Sequence, residues 1–283
     1  MIFFTCSAMN DYNSFFIPKK GDLPLNTGKI RRWYHNLIPE IEKVNYPPEK
    51  LLLLKDKHNY YGKYLSQDTR EFFLNHFGRN LAKAVNYFIF DGKENIKYLE
   101  IGSGCGNQLL LMAFLGAETF GCDMRQDVCD LVKIRQDFYE TISIRRLNVS
   151  FICNDFFKVN WDSYERFDAV NFLFSFNDLL PAEKVLELIN RLIKPGGKLV
   201  IQDTNPTNYY NRLFRKRNAL PPQRIVKILK GYGFKIHSLR GGYALPPVLW
   251  RFLLESVLSP IDQFLCRSLF MSPSYHLMAE KYE

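Results

Sequence analysis

The stretch Tyr98-Leu99-Glu100-Ile101-Gly102-Ser103-Gly104-Cys105-Gly106-Asn107 decides how this chain reads. A short apolar run ends in an acid, three glycines follow at alternate positions, and residues 108–115 read as a helix. Glycine adopts backbone conformations that a β-carbon forbids, and it lets a ligand approach bare amides. A strand, a tight glycine turn and a helix N-terminus together make a nucleotide-type site. The next strand, residues 118–122, ends at Asp123. That acid falls roughly 20 residues after the loop, the distance expected of a ribose-binding carboxylate.

The glycine spacing chooses between cofactors. A dinucleotide fingerprint places glycine or alanine at its sixth position. Counted from Gly102, that position is Asn107, and the third glycine comes one residue early, at Gly106. The stretch instead resembles motif I of the class I S-adenosylmethionine-dependent methyltransferases of the small-molecule type. The resemblance covers residues 98–203 well and the final strands less closely. It implies an α/β fold: a doubly wound, seven-stranded Rossmann-like sheet whose last strand runs antiparallel.

The resemblance also implies a cofactor site for S-adenosylmethionine. Glu100 carries a charge that holds the ammonium group of the methionine portion. Gly102, Ser103, Gly104 and Gly106 offer close backbone. Asp123 takes both ribose hydroxyls. Asp155, beside Asn154, accepts from the adenine amine, while Phe156 or Met124 packs on the ring. Phe174, at the end of the fourth strand, completes the set.

Around this centre the chain alternates strand and helix, which implies a parallel doubly wound sheet. Phe73, Phe77, Leu81, Ala84 and Phe88 form a helical stripe, preceded by Asp68 and Glu71 in capping-box-like spacing. Val128, Leu131, Val132, Arg135 and Phe138 mark a second helix. Residues 149–153 read as the third strand, and residues 167–174 as a fourth, apolar enough to be covered on both faces. Pro181 suits the first turn of the next helix, which Lys194-Pro195-Gly196-Gly197 closes. Residues 198–202, 234–238 and 274–281 read as the remaining strands, with a helix over residues 224–230. Residues 1–66 are expected to form an N-terminal extension or lid, irregular over its first 58 residues. Residues 67–283 then form the methyltransferase domain, with insertions near 204–222 and 241–273. Both insertions leave from strand ends that face the ligand crevice of an open α/β sheet. Tyr60, Tyr61 and Tyr64 precede the first domain helix, where the resembled family often closes tyrosines over its cofactor; surface or core aromatics are the other reading.

Composition narrows the setting. The 283 residues are 47% hydrophobic and 24% charged, which is globular rather than disordered. The net charge of +9 favours acidic partners such as phosphate groups, anionic lipid heads or nucleic acid. Six scattered cysteines with no C-x-x-C pair fit a reduced, cytoplasmic setting, with membrane association open. Residues 1–9 are apolar but short, and Lys19 and Lys20 follow rather than precede them, so a signal peptide is not expected. The five histidines, His35, His58, His76, His237 and His276, have no metal-ligand spacing, so no metal site is expected and turnover should survive chelation.

Methyl transfer is an in-line displacement that needs a nucleophile near 3 Å from the methyl carbon. The candidate catalytic positions follow the fourth strand. Asn177 and Asp178 stand where many small-molecule members of the resembled family carry histidines. Asp178 is a base or the cap of the helix that starts near Pro181. The Asn/Asp-Pro-Pro-aromatic tetrad of amino-directed nucleic-acid methyltransferases is missing from this strand. Residues 211–217 are basic with interleaved apolar side chains: a membrane- or substrate-facing stretch, or a solvated turn. Residues 244–258 are strongly apolar and cover the acceptor or form ordinary core. The expected activity is methyl transfer to a hydrophobic or anionic small-molecule acceptor, lipid-like included, with peripheral membrane contact as a further expectation. RNA or protein methylation is the enzyme alternative, so nucleic acid is not excluded as a partner. A non-catalytic nucleotide-binding module is the alternative of another class. Oligomeric state is not readable.

Overall fold

The computed structural model describes residues 15–56, 60–89, 95–214 and 219–282. Residues 1–9, His58 and Arg215 to Arg217, on which expectations were placed above, lie outside the described residues, as do the side chains of Tyr60 and Tyr61. The N-terminal segment is helical, not irregular. Helices α1 (Thr27–His35), α2 (Leu37–Lys43), α3 (Pro48–Lys55) and α4 (Tyr60–Leu65) follow one another. Asn26 caps α1 by accepting from the Lys29 amide, and Ile30, Trp33 and Tyr34 turn inward at helical spacing.

Helix α5 (Gln67–Phe73) continues through a π-helical segment, Leu74–Gly78, into α6 (Arg79–Ile89). The stripe Phe73, Phe77, Leu81, Ala84 and Phe88 is buried along it. The expected capping box is replaced. Ser66 takes the cap position, and Asp68 and Glu71 instead pair with Arg251 and Arg31, at 2.9 and 3.0 Å. Every residue of the π segment is buried, and π segments often mark functional places.

The sheet has seven strands in the order β3-β2-β1-β4-β5-β7-β6. In chain order, β1 (Lys97–Ile101) leads to α7 (Asn107–Phe114), β2 (Glu118–Asp123), α8 (Gln126–Ser143) and β3 (Val149–Cys153). Then come β4 (Phe167–Leu173), α9 (Ala182–Leu192), β5 (Ile193–Thr204), α10 (Tyr209–Phe214), α11 (Pro222–Gly231) and β6 (Phe234–Gly241). Short α12 (Leu249–Phe252), α13 (Glu255–Leu265) and β7 (Ser274–Lys281) finish the chain. Strands β1 to β5 pair in parallel, and β7 lies antiparallel between β5 and β6. Strand order reverses between β1 and β4, and open α/β sheets take their ligands in the crevice beyond the carboxyl ends of such strands.

Two apolar layers cover the sheet. One joins the N-terminal helices to α6, α7 and α8 through Trp33, Phe73, Phe88, Leu110, Phe114 and Tyr139. The other packs α9 and α11 through Leu186, Ile189, Ile225 and Leu229. Strand β4 is buried nearly throughout, as its apolar run predicted. Strand β5 starts earlier than expected. Ile193 already pairs with Phe167, and the register shifts before Lys198, so the Lys194-Pro195-Gly196-Gly197 turn is absorbed as an irregularity within the strand. Strand β6 runs three residues past the expected Ser238, because β7 continues to pair with it as far as Gly241.

The expected insertions begin at the ends of β5 and β6. Residues after β5 are tied down by three asparagines. Asn205, Asn208 and Asn211 donate to the carbonyls of Leu269, Phe270, Ser272 and Pro273, at 2.7–3.0 Å. No helix among the described residues is long and apolar enough to cross a membrane.

Candidate active site

The glycine loop leaves β1 at the crevice. All three glycines have positive φ, at +69° for Gly102, +51° for Gly104 and +74° for Gly106. A β-carbon on Gly102 would lie 2.3 Å from Ser175 Cβ, and one on Gly106 would lie 2.7 Å from Val132. These two glycines let the loop press against the residues after β4 and against α8. Gly104 has open space beside it, so it presents bare backbone to a cavity of about 360 Å³.

Glu100 is buried on that cavity's wall. Burial drives its carboxyl well above the usual value, and the nearby Asp123 charge adds to the rise; hydrogen bonds from Asn171 and the Leu109 amide work against it. Its Oε2 has no partner among the described residues, and neither has the buried Ser103 hydroxyl on the same wall. Asp123 stands at the end of β2. One oxygen accepts from the Gly104 amide and the other from the Arg125 amide, both at 3.1 Å, so it braces the loop. Phe174 lines the cavity in a left-handed conformation, with φ of +56°. A non-glycine residue held there marks a position that the surroundings over-determine. Rings of Phe77 and His76 stand behind it at 5.2 and 6.4 Å, and Tyr243 stands 4.4 Å from His76.

Asp178 reaches the cavity rim and does not cap the next helix, whose cap position is Pro181. Asn177 does not line the cavity. Its amide and side chain donate to the Asp203 carboxylate at 3.0 and 2.8 Å, and its side chain also reaches the Thr204 carbonyl. Phe156 is corrected most clearly. It is buried against Trp161 on the far side of the sheet, and Trp161 donates to its carbonyl, so it cannot stack on a ligand in the crevice. Met124 is exposed instead, at 73%. Asn154 and Asp155 bond locally, accepting from the amides of Asp155 and Phe157, and neither lines the cavity. Tyr64 is core, between Tyr34 and Phe73.

Comparison with known proteins agrees with this fold. A family described as a methyltransferase domain matches residues 73–239. The chain belongs to the methyltransferase-domain family. Sterol 4-C-methyltransferase strm-1 of Caenorhabditis elegans is 27% identical over 119 residues, 42% of this chain and 34% of that protein. The match therefore spans about a third of that relative's length. Magnesium protoporphyrin IX methyltransferase from Synechocystis, solved with bound SAM, superposes with a TM-score of 0.55 at 14% identity, covering 84% of this chain and 100% of that one. An S-adenosylmethionine-dependent methyltransferase from Clostridium acetobutylicum gives 0.50 at 12% identity, covering 71% and 92%.

The candidate site also has a part that the sequence reading missed. Tyr34 and Leu53, from α1 and α3, line the cavity together with Gln108, Arg125 and Val128. The Gln108 amide donates to the Tyr34 hydroxyl at 3.4 Å, and burial pushes that phenol's pKa up. Behind them, Arg135 of α8 donates to the Cys105 carbonyl at 2.6 Å and to Asn107 Oδ1 at 3.1 Å. The same guanidinium grips Glu40 of α2 with two bonds. Trp33 donates to the Asn107 carbonyl at 3.2 Å. The N-terminal helices thus form one wall of the glycine-loop cavity and hold the loop from behind. The signal available for them was the spacing of Ile30, Trp33 and Tyr34 after Asn26.

Proposed function

We propose that this chain transfers a methyl group from S-adenosylmethionine, the cofactor of its methyltransferase domain, to a hydrophobic small-molecule acceptor. One observation carries the reading: Glu100 is a buried carboxylate on the wall of the glycine-loop cavity, with one oxygen unpaired among the described residues. A ligand cation beside it offsets a large desolvation cost. The ammonium of the methionine portion is such a cation. Asp123 keeps a further lone pair on each oxygen for the ribose hydroxyls. The Ser103 hydroxyl and the bare Gly104 backbone suit the polar middle of the same ligand.

When bound, the cofactor supplies an electrophilic methyl on a cationic sulfur. The chain's own residues then do the rest. Phe174, backed by Phe77 and His76, keeps water from the reacting end. A dry surround favours a displacement in which an anionic nucleophile and a cation neutralise one another. Asp178, on the cavity rim, takes a proton from an acceptor that needs to lose one. Asn177 is a positioning residue: tied to Asp203 and the Thr204 carbonyl, it fixes the turn that carries Asp178. The aromatic wall and the similarity to a sterol methyltransferase both support an apolar acceptor.

The test is incubation with methyl-labelled S-adenosylmethionine and a cell extract, followed by separation into lipid, aqueous and macromolecular fractions. Label in the organic fraction supports the reading. Label in RNA or protein alone refutes the acceptor class, and tight cofactor binding without any transfer refutes the enzyme.

A further inference from the structure

Away from the glycine-loop cavity, a second cavity of about 430 Å³ opens between α6, β6, β7 and α13. Its lining is cationic: Arg79 and Lys83 from α6, Arg240 from β6, and Arg267 just after α13. His276 of β7 lies at its floor, 4% exposed, with Nε2 lacking a hydrogen-bond partner among the described residues. Arg79 spends one nitrogen on Asp262 at 2.9 Å and on the Gly242 carbonyl at 3.1 Å, while its buried Nε and Nη1 have no partner among the described residues. Asp262 is thus the carboxylate against this cluster, and it also accepts from the Ala244 and Leu245 amides. The cations strain against one another. Burial, Arg79 and Arg240 lower the Lys83 ammonium, and burial with Lys83 and Arg79 takes His276 down to about 3. Unpaired donors and mutually repelling cations around one cavity are complementary to a polyvalent anion.

The rim of this cavity is apolar in an unusual way. Helix α13 buries Leu258 and Asp262 and turns its apolar stripe outward. Leu254, Val257, Ile261 and Phe264 are 74%, 52%, 46% and 65% exposed, at spacings that place them on one face. Phe252, 74% exposed, extends the patch. Phe264 belongs to both features: it lines the cavity, and Arg267 lies over its ring at 5.5 Å. Contiguous exposed apolar surface of this kind marks an interaction site. An apolar face flanked by cations, on a chain of net charge +9, fits the headgroup boundary of an anionic bilayer.

We infer that this cavity binds the phosphate of an anionic phospholipid headgroup while the α13 stripe enters the bilayer interface beside it. The ligand is a phosphate ester held by Arg79, Lys83, Arg240 and Arg267, and its acyl portion continues into the membrane past Phe264. The inference stands on these residues alone and does not need the acceptor to be hydrophobic.

The experiment is flotation with vesicles of pure phosphatidylcholine and with vesicles carrying phosphatidic acid. Three proteins are compared: wild type, Arg240→Gln/Arg267→Gln, and Leu254→Ser/Phe264→Ser. Wild type should bind the acidic vesicles at least about tenfold better than the neutral ones, since each basic residue near such a surface contributes about 1 kcal/mol. Each double variant should lose that preference or that binding, with cofactor affinity by calorimetry and melting temperature unchanged. Three outcomes overturn the inference. The first is equal binding to both vesicles with no effect of the arginine variant. The second is binding of inorganic phosphate that the arginine variant abolishes, without vesicle binding; that makes the cavity a site for a free anion. The third is self-association that the stripe variant abolishes, without vesicle binding; that makes a second copy the occupant. Methyl transfer measured on the same proteins reports the proposed activity separately.

Discussion

Arg135 and Glu40 form a buried ion pair, Nε to Oε1 at 2.6 Å, with both side chains fully enclosed. Tyr46 and Tyr139 donate to the same carboxylate at 2.6 and 2.8 Å, and Arg135 also holds the Cys105 carbonyl of the glycine loop. Burying two charges is costly, and a pair is tolerated when its remaining hydrogen-bonding capacity is met. Here it is met on both sides, and the pair joins α2 to the backbone that faces the glycine-loop cavity.

Glu40→Gln should therefore cost stability and cofactor affinity together. It leaves an uncompensated guanidinium in the core, a change worth roughly 3–5 kcal/mol. Thermal or denaturant unfolding reads the first effect. Calorimetric titration with S-adenosylhomocysteine, below the melting temperature, reads the second. Unchanged affinity in the folded variant would show that the helices pack on the loop without shaping it.

Glu100 predicts a pH dependence of its own. Its folded carboxyl lies well above the ordinary 4.5, mainly through burial. Above the unfolded value, the folded state then holds more protons than the unfolded one, so stability falls as pH rises toward the folded value. The contribution is fully present below the unfolded value and is lost as pH climbs through the folded one. Glu100→Gln should remove this fall and melt higher than the unliganded wild type at neutral pH. Pairing with a ligand ammonium should ionise Glu100, so cofactor binding releases a proton. Calorimetry in buffers of different ionisation enthalpy measures that release, and the Gln variant should lack it while binding more weakly.

Asp123→Ala should weaken cofactor binding about tenfold or more, because charge-assisted hydrogen bonds contribute about 1.5–3 kcal/mol. The loop amide of Gly104 loses its acceptor in the same step. A dissociation constant equal to wild type, in a protein shown to be folded, would remove Asp123 from the site.

Asp178→Asn should separate chemistry from binding. General-base groups contribute about 10²–10⁴-fold in rate. The expected result is a fall in kcat of that order with cofactor affinity changed far less, because Asp178 is an exposed lining residue that follows β4 and is not part of the glycine loop. Equal kcat for both proteins would leave positioning alone as the source of rate.

The sheet was legible because its determinants are local. The apolar run of β4, the glycines after β1 and the acids at strand ends each carry a short-range pattern. The N-terminal wall was less so. Helix α1 shows Ile30, Trp33 and Tyr34 at helical spacing, but α3 is a continuous Leu51-Leu52-Leu53-Leu54 run that names no face, and Lys50 beside it is buried. The Glu40–Arg135 pair spans 95 residues, and no local spacing announces such a contact. Phe156 misled for a different reason. It directly follows Asp155, yet its side chain turns into the core, so adjacency in sequence gave the wrong side of the sheet. The outward stripe of α13 reads in sequence like any amphipathic helix; only the burial of Asp262 against Arg79 shows which face is inside.

The segment over residues 244–258 divides between core and surface, and two substitutions separate its halves. Trp250 and Leu258 are buried against Phe72, with Tyr243, Leu245 and Leu249 packed around them. Leu253, three residues past Trp250, is 52% exposed. Trp250→Ala should cost about 3–5 kcal/mol, the range for emptying a large aromatic site. Leu253→Ser should stay within about 0.5 kcal/mol of wild type, as surface changes do. The buried half also reaches the glycine-loop cavity through a chain of rings. Phe72 meets Tyr243 at 5.0 Å, Tyr243 meets His76, and His76 stands behind Phe174. In folded Trp250→Ala protein, KM for the acceptor should therefore rise while cofactor affinity holds, since no member of that chain except Phe174 lines the glycine-loop cavity. Melting curves with cofactor titrations check both halves. A Leu253→Ser protein that melts as low as Trp250→Ala would place the whole segment in the core and end its role as a boundary to the acceptor.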